Sequence, residues 1–157
     1  MSNLPPWVQL TVDDLLSSMT LKERDDFGKT SVGTTVPDRV IPILAALVSE
    51  IRDHIGSNAV NTLSADQSLI PGGFKAKALA IARFRVLVTT PGYAPGEGRK
   101  LEYEKADTFF NNVAKGIITP RPAPDAEPTQ VPQGKVMASP RIRARNRRFS
   151  RDQQDGI

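Results

Sequence analysis

Cysteine is absent from this 157-residue chain and histidine occurs once, as His54. Disulfides and thiolate metal sites are thereby excluded, and a lone imidazole cannot build a histidine cluster. No run of about 18 apolar residues is present, so no membrane-spanning helix is expected. The first residues also lack the basic-then-apolar order of a secretory signal, which predicts a soluble, unsecreted protein. A phosphate loop is missing too. Thr30-Ser-Val-Gly33 has neither the spaced glycines nor the Lys-Ser/Thr ending, so Ser31, Thr34 and Thr35 read as a polar loop with hydroxyls that could face an anion. The adjacent carboxylates Asp13-Asp14 and Asp25-Asp26 diverge when placed on a helix, and they serve better as charges at helix starts than as a general acid and base. The expectation is a protein that is not an enzyme, with no catalytic, cofactor-binding or metal-binding residue.

What is present is divided unevenly. Residues 1–133 hold 14 Lys/Arg and 15 Asp/Glu, for −1, whereas residues 134–157 hold 7 Lys/Arg and 2 Asp, for +5. The overall +4 therefore belongs to the C-terminal tail. A basic tail on a near-neutral body points to an anionic or acidic partner, held by an attraction that weakens with salt.

The strongest helical patterns lie between Gly72 and Gly116. Phe74, Ala78, Ile81, Arg85 and Val88 form one stripe, widened by Ala80, Phe84 and Leu87. Leu101, Lys105, Thr108, Phe109, Asn112 and Val113 repeat at helical spacing in a second segment that ends at Lys115-Gly116. Between the two, Thr89-Thr-Pro-Gly-Tyr-Ala-Pro-Gly-Glu-Gly has Pro-Gly steps that neither helix can cross. The pair predicts an antiparallel helical hairpin.

Upstream, Pro5-Pro-Trp7 favours an extended entry, with Trp7 either covering the domain's own core or meeting another subunit. Thr11-Val-Asp-Asp14 supplies an N-cap with an acidic first turn, and Thr20-Leu-Lys-Glu23 a capping box. They open two short helices or one broken helix. Residues 38–55 read as the longest apolar helix, with Val40, Leu44, Leu47, Ile51 and Ile55 on one face, Ile41 and Val48 beside it, and Pro42 in its first turn or at a kink. Glu50, Arg52, Asp53 and His54 make its solvated side. Residues 57–71 read as a long connection whose Leu63, Leu69 and Ile70 cover an open side of the core.

After Gly116 the pattern changes. Pro120, Pro122, Pro124, Pro128, Pro132 and Pro140 fall within 21 residues, which forbids a helix and favours an extended arm that buries little of itself. Its end, Pro140-Arg-Ile-Arg-Ala-Arg-Asn-Arg-Arg-Phe-Ser-Arg, alternates arginine with apolar residues, so that a strand would gather the arginines on one face. The predicted fold is all-α: a small bundle of about four to five helices with a long extended C-terminal arm. Its predicted parts are an extended segment over 1–10, a helical domain over 11–118, and a Pro-rich then Arg-rich arm over 119–157.

Taken in order, Ala80-Ile-Ala-Arg-Phe-Arg-Val-Leu, then Leu101-Glu-Tyr-Glu-Lys-Ala-Asp-Thr-Phe-Phe-Asn-Asn-Val-Ala-Lys-Gly-Ile-Ile-Thr, then Arg147-Arg-Phe-Ser-Arg-Asp-Gln-Gln-Asp-Gly, the chain resembles the Mu-like tailed-phage head-tail connector family. The likeness spans roughly residues 36–157, with Phe84 where the family commonly has Tyr. It implies a virion protein of the neck, assembled in the host cytoplasm. Such an adaptor docks under the portal as a ring, commonly of twelve subunits, and continues the DNA channel towards the tail. The partners implied are portal protein, neighbouring copies, the next neck or tail-completion protein and DNA passing through the channel. No cofactor and no membrane are implied. On this reading Arg141, Arg143, Arg145, Arg147, Arg148, Phe149 and Arg151 dock on portal, the arginines through planar donors and Phe149 as apolar anchor. Trp7, Lys75, Lys77 and Arg83 would then meet a neighbouring subunit. The competing expectations are a nucleic-acid-binding protein using the Arg-rich tail, and the next connector ring, the stopper.

Overall fold

Three threonines set the starts of the first three helices. The computed structural model describes residues 7–29 and 35–125. Thr11 caps α1 (Val12–Ser18): the Asp14 N–H donates to Thr11 Oγ1 at 3.2 Å, and Asp14 Oδ2 accepts from the Thr11 N–H at 3.1 Å. Thr20 does the same before α2 (Leu21–Lys29), with Glu23 reaching back to the Thr20 N–H at 2.7 Å. Thr35, read from sequence as part of a polar loop, makes a third such box with Asp38 and starts α3 (Val36–Gly56) two residues earlier than expected. Each box satisfies N–H groups that a first helical turn leaves without partners. The break at Ser18 to Thr20 is therefore real, and α1 and α2 are separate helices.

α3 is the axis of the core. Val40, Leu44, Leu47, Val48, Ile51 and Ile55 are all buried, as their spacing predicted. Ile41, expected beside that face, is instead 54 % exposed. Pro42 lies inside the helix, past its first turn, and the helix continues through it on an exposed side. The connection after α3 leads into a two-stranded antiparallel ribbon, β1 (Trp7–Gln9) with β2 (Leu69–Pro71), in the register Trp7↔Pro71, Val8↔Ile70, Gln9↔Leu69. Ile70 is fully buried and Leu69 partly so, whereas Leu63 stays 37 % exposed. The ribbon is too short to be legible as a period-two pattern.

A 3₁₀ turn (Gly72–Phe74) leads into α4 (Lys75–Val88), which packs on α5 (Glu97–Ala114). Phe74 meets Phe109 and Phe110 with ring centroids at 5.1 and 5.7 Å, while Phe84 stacks on Tyr103 at 4.6 Å. Residues early in α4 thus face residues late in α5, and the hairpin is antiparallel. The α4 stripe read in the sequence holds at Phe74, Ala78, Ile81 and Leu87 and departs at Arg85 and Val88, whereas the buried stripe of α5 runs a step away from the one read. In α4 the inner residues are Ala78, Ile81, Ala82, Val86 and Leu87, and Val88 is 55 % exposed. In α5 they are Ala106, Phe110 and Val113, flanked by Tyr103 and Phe109, while Leu101, Lys105 and Thr108 are exposed. The reason is aromatic bulk. Tyr103 and Phe110 both find ring partners, and helical spacing then carries Ala106 inward with them. Among the described residues the all-α class and the count of helices hold, with the small ribbon added to them.

Packing does not stop at residue 118. Pro120 and Ala123 are buried, and the Trp7 Nε1–H donates to the Arg121 carbonyl at 3.2 Å. Asp125 Oδ2 accepts from the Ala65 N–H at 2.6 Å and from the Ser64 hydroxyl at 3.0 Å. The first residues of the proline-rich stretch are thus a strap across the body, laid over β1 and the loop before β2.

Candidate docking surface

Lys75, Arg83, Arg85, Arg99 and Glu102 on the hairpin help to hold the body together. Glu23, 4 % exposed, receives Arg99 in a two-point grip, Nε to Oε1 at 2.9 Å and Nη2 to Oε2 at 3.0 Å. The Tyr93 hydroxyl approaches the same carboxylate at 3.4 Å. Arg99 also donates to Glu102 at 3.0 Å, Glu102 pairs with Arg83, and Arg83 donates to the Ser18 carbonyl at 2.7 Å. One chain of charge-assisted bonds therefore links the end of α1, the start of α2 and both hairpin helices. Burial pushes the Glu23 carboxyl up, but the Arg99 guanidinium and the Thr20 donors outweigh it and hold Glu23 below its ordinary range. Glu102 shows the same balance, burial opposed by Arg99 and Arg83, with the same net direction. Burial, aided by the Glu23 charge, raises the Tyr93 phenol.

Arg52, expected on a solvated face, is instead a clamp. Its guanidinium donates to the carbonyls of Ser64, Asp66 and Leu69 at 2.7, 3.0 and 3.0 Å. A loop without side-chain bulk is fixed by its backbone carbonyls, which only a planar, multidentate donor can collect. Glu50 is likewise engaged, with Arg85 at 2.6 Å, and His54 stacks on Phe110 with ring centroids 6.3 Å apart. Asp53 alone of that polar side keeps its carboxylate unpaired among the described residues.

The outer face of α3 is left uncovered by the described residues. Ile41, Ala45, Ala46 and Ser49 are exposed there, and an open groove of about 820 Å³ runs along it. Leu10 and Val12 line it from the β1–α1 corner, Leu63, Gln67 and Ser68 from the loop that Arg52 holds, and Leu44 and Val48 from beneath. An apolar groove walled by a clamped loop is suited to receiving another chain segment. Sequence reading missed it, because Ile41 and Ala45 are as apolar as core residues and are set apart only by their exposure.

The residues expected at subunit contacts are scattered over the body. Trp7 is 5 % exposed and lies in the core under the strap, the alternative foreseen for it. Lys75 reaches Asp14 at 2.7 Å and joins α4 to α1. Arg83 belongs to the buried network, with Nε sequestered and unpartnered. Lys77 is half-buried and has no polar partner among the described residues. Arg141, Arg143, Arg145, Arg147, Arg148, Phe149 and Arg151 lie outside the described residues, as do Ser31 and Thr34. Among the described residues no group of three or more His, Asp or Glu side chains could hold a metal ion, and no helix is long and apolar enough to cross a membrane.

Comparison with protein-family models, with curated proteins and with solved structures finds no match to this chain.

Proposed function

We propose that the protein is a structural component of a phage virion, a head-tail adaptor that forms a ring beneath the portal and extends the DNA channel towards the tail. The observation that carries this reading is the division of labour along the chain. A helical body locks its hairpin with internal ion pairs from Glu23 to Arg83, and the surplus of positive charge follows after residue 133. Together with the resemblance in residue order, this suits a wedge that stacks beside copies of itself and a basic segment that engages a partner. Catalysis has no part in the proposal.

Removal of residues 134–157 tests it. The shortened chain should retain its helical circular dichroism and its thermal transition, yet fail to co-purify with portal particles or to appear as a ring in electron micrographs of the neck. A normal neck built from the shortened chain would sink the adaptor reading. The charge division also favours a second reading, in which the tail tracks nucleic-acid phosphates. Binding of the tail peptide to random-sequence DNA, with affinity falling steeply as salt rises, selects that reading if portal binding is absent.

A further inference from the structure

The outer edge of the short ribbon carries backbone groups with no partner among the described residues. Pro71 has no N–H, so Trp7 and Pro71 cannot exchange two hydrogen bonds, and Val8↔Ile70 must be the doubly bonded pair. Gln9 and Leu69 therefore turn their backbone groups away from each other. Those of Leu69 are occupied: its N–H donates to the Asp66 carbonyl at 3.4 Å and its carbonyl accepts from Arg52 at 3.0 Å. The outward N–H and C=O of Gln9 bond to no other described residue. Gln9 is exposed and lines the α3 groove.

Charge adds a second requirement. Asp53 lines the same groove with its carboxylate unpaired, and Asp66 and Asp125 flank the wall around Arg52. In the lining itself Asp53 is the one acid and Arg52 the one cation, and the donors of Arg52 are already committed to three carbonyls beside Asp66 and Asp125. The floor is apolar, with Ile41 and Ala45 uncovered.

We infer that the groove binds an extended segment of another polypeptide, which adds to Gln9 at the open edge of β1, lays apolar side chains on Ile41 and Ala45, and points a lysine or arginine at Asp53. A helix is the poorer occupant, because its backbone groups are already paired and would leave those of Gln9 unmet. An acidic segment is disfavoured by Asp53 and Asp66. This inference goes beyond the adaptor reading and does not depend on it: it can fail while the ring stands, and the reverse.

The test uses the full chain and a fluorescent, capped octapeptide of alternating isoleucine and arginine, with a counterpart carrying glutamate for arginine. Anisotropy should show the arginine peptide binding at least about tenfold more tightly, and amide shifts should move at Gln9 and Ala45. Ala45→Arg, at an exposed helical position that tolerates a good helix former, should weaken binding by about tenfold or more with an unchanged melting curve. Asp53→Lys should reverse the preference between the peptides. Equal affinity for both, binding untouched by Ala45→Arg, or no binding of either peptide overturns the inference.

Discussion

Glu23 and Arg99 lie 76 positions apart in sequence and meet as a bidentate ion pair, in which the carboxylate is almost fully buried and the guanidinium faces it with two nitrogens. The pair fastens the first turn of α2 to the first turn of α5, and Glu23 is at the same time the reciprocal partner of the Thr20 cap. One residue thus serves a local and a tertiary function. Arg99→Ala, which leaves that carboxylate buried without its partner, should lower stability by about 3 kcal/mol, the low end for a broken buried pair because Arg99 keeps some solvent. Urea unfolding measures this. Glu23→Ala combined with Arg99→Ala should cost less than the two single losses added together. Strict additivity would show that the two side chains do not act as a unit.

The same carboxylates fix the response to acid. Glu23, Glu102 and Asp14 are all held below their ordinary values, Glu23 and Glu102 by arginine against the upward push of burial, Asp14 chiefly by Lys75. A depressed folded-state value means that the unfolded chain takes up protons first as pH falls. The stabilisation is therefore complete above the unfolded carboxylate range and disappears as pH drops through the folded values. Thermal midpoints should be level between about pH 6 and 8 and fall below about pH 4. Glu23→Gln should flatten the acid limb. If wild type and Glu23→Gln lose stability in parallel down to pH 3, the pair is not the source of the acid sensitivity.

The strap makes a prediction about where the folded body ends. Sequence reasoning placed the boundary at 118, because proline spacing argues against helix, but proline does not argue against packing. Pro120 and Ala123 are buried, the Trp7 indole donates to the Arg121 carbonyl, and Asp125 closes the loop at Ser64 and Ala65. A chain ending at residue 118 should melt several degrees below one ending at residue 127, a difference of about 1–3 kcal/mol. Fluorescence of Trp7, the only tryptophan, should move to longer wavelength in the shorter chain as the indole gains water. Identical melting and identical emission from both would mean that the strap contributes nothing.

What the sequence made legible is local in origin. The boxes at Thr11 and Thr20 are written in four residues each, the α3 face recurs over five turns, and the Pro-Gly steps leave no other place for the hairpin loop. The features that escaped depend on partners distant in the chain. Arg52 on a polar helix face carries no mark of the three backbone carbonyls it collects, since carbonyls have no sequence signature. Three-residue strands cannot display a period. The α3 groove joins polar and apolar residues of three separate segments, and its floor residues Ile41 and Ala45 are set apart from core residues only by their exposure.

The phase of α5 is the sharpest case and gives the last prediction. Leu101, Phe109 and Val113 fit one helical stripe, and Tyr103, Ala106, Phe110 and Val113 fit another about one residue further round. Apolar content alone does not choose between them. The folded chain takes the second: Phe110 lies deeper, at 2 % exposure, with Phe109 partly buried beside it and both rings edge-on to Phe74, and Leu101 is 50 % exposed. Phe110→Ala should therefore cost about 3–5 kcal/mol, and Leu101→Ala about 0.5 kcal/mol or less, although both replace a large apolar side chain on the same helix. Chemical denaturation of the two variants measures the contrast. A Leu101→Ala loss equal to that of Phe110→Ala would turn α5 back to the phase read from its sequence, and would place Leu101 against a surface that this chain does not itself supply.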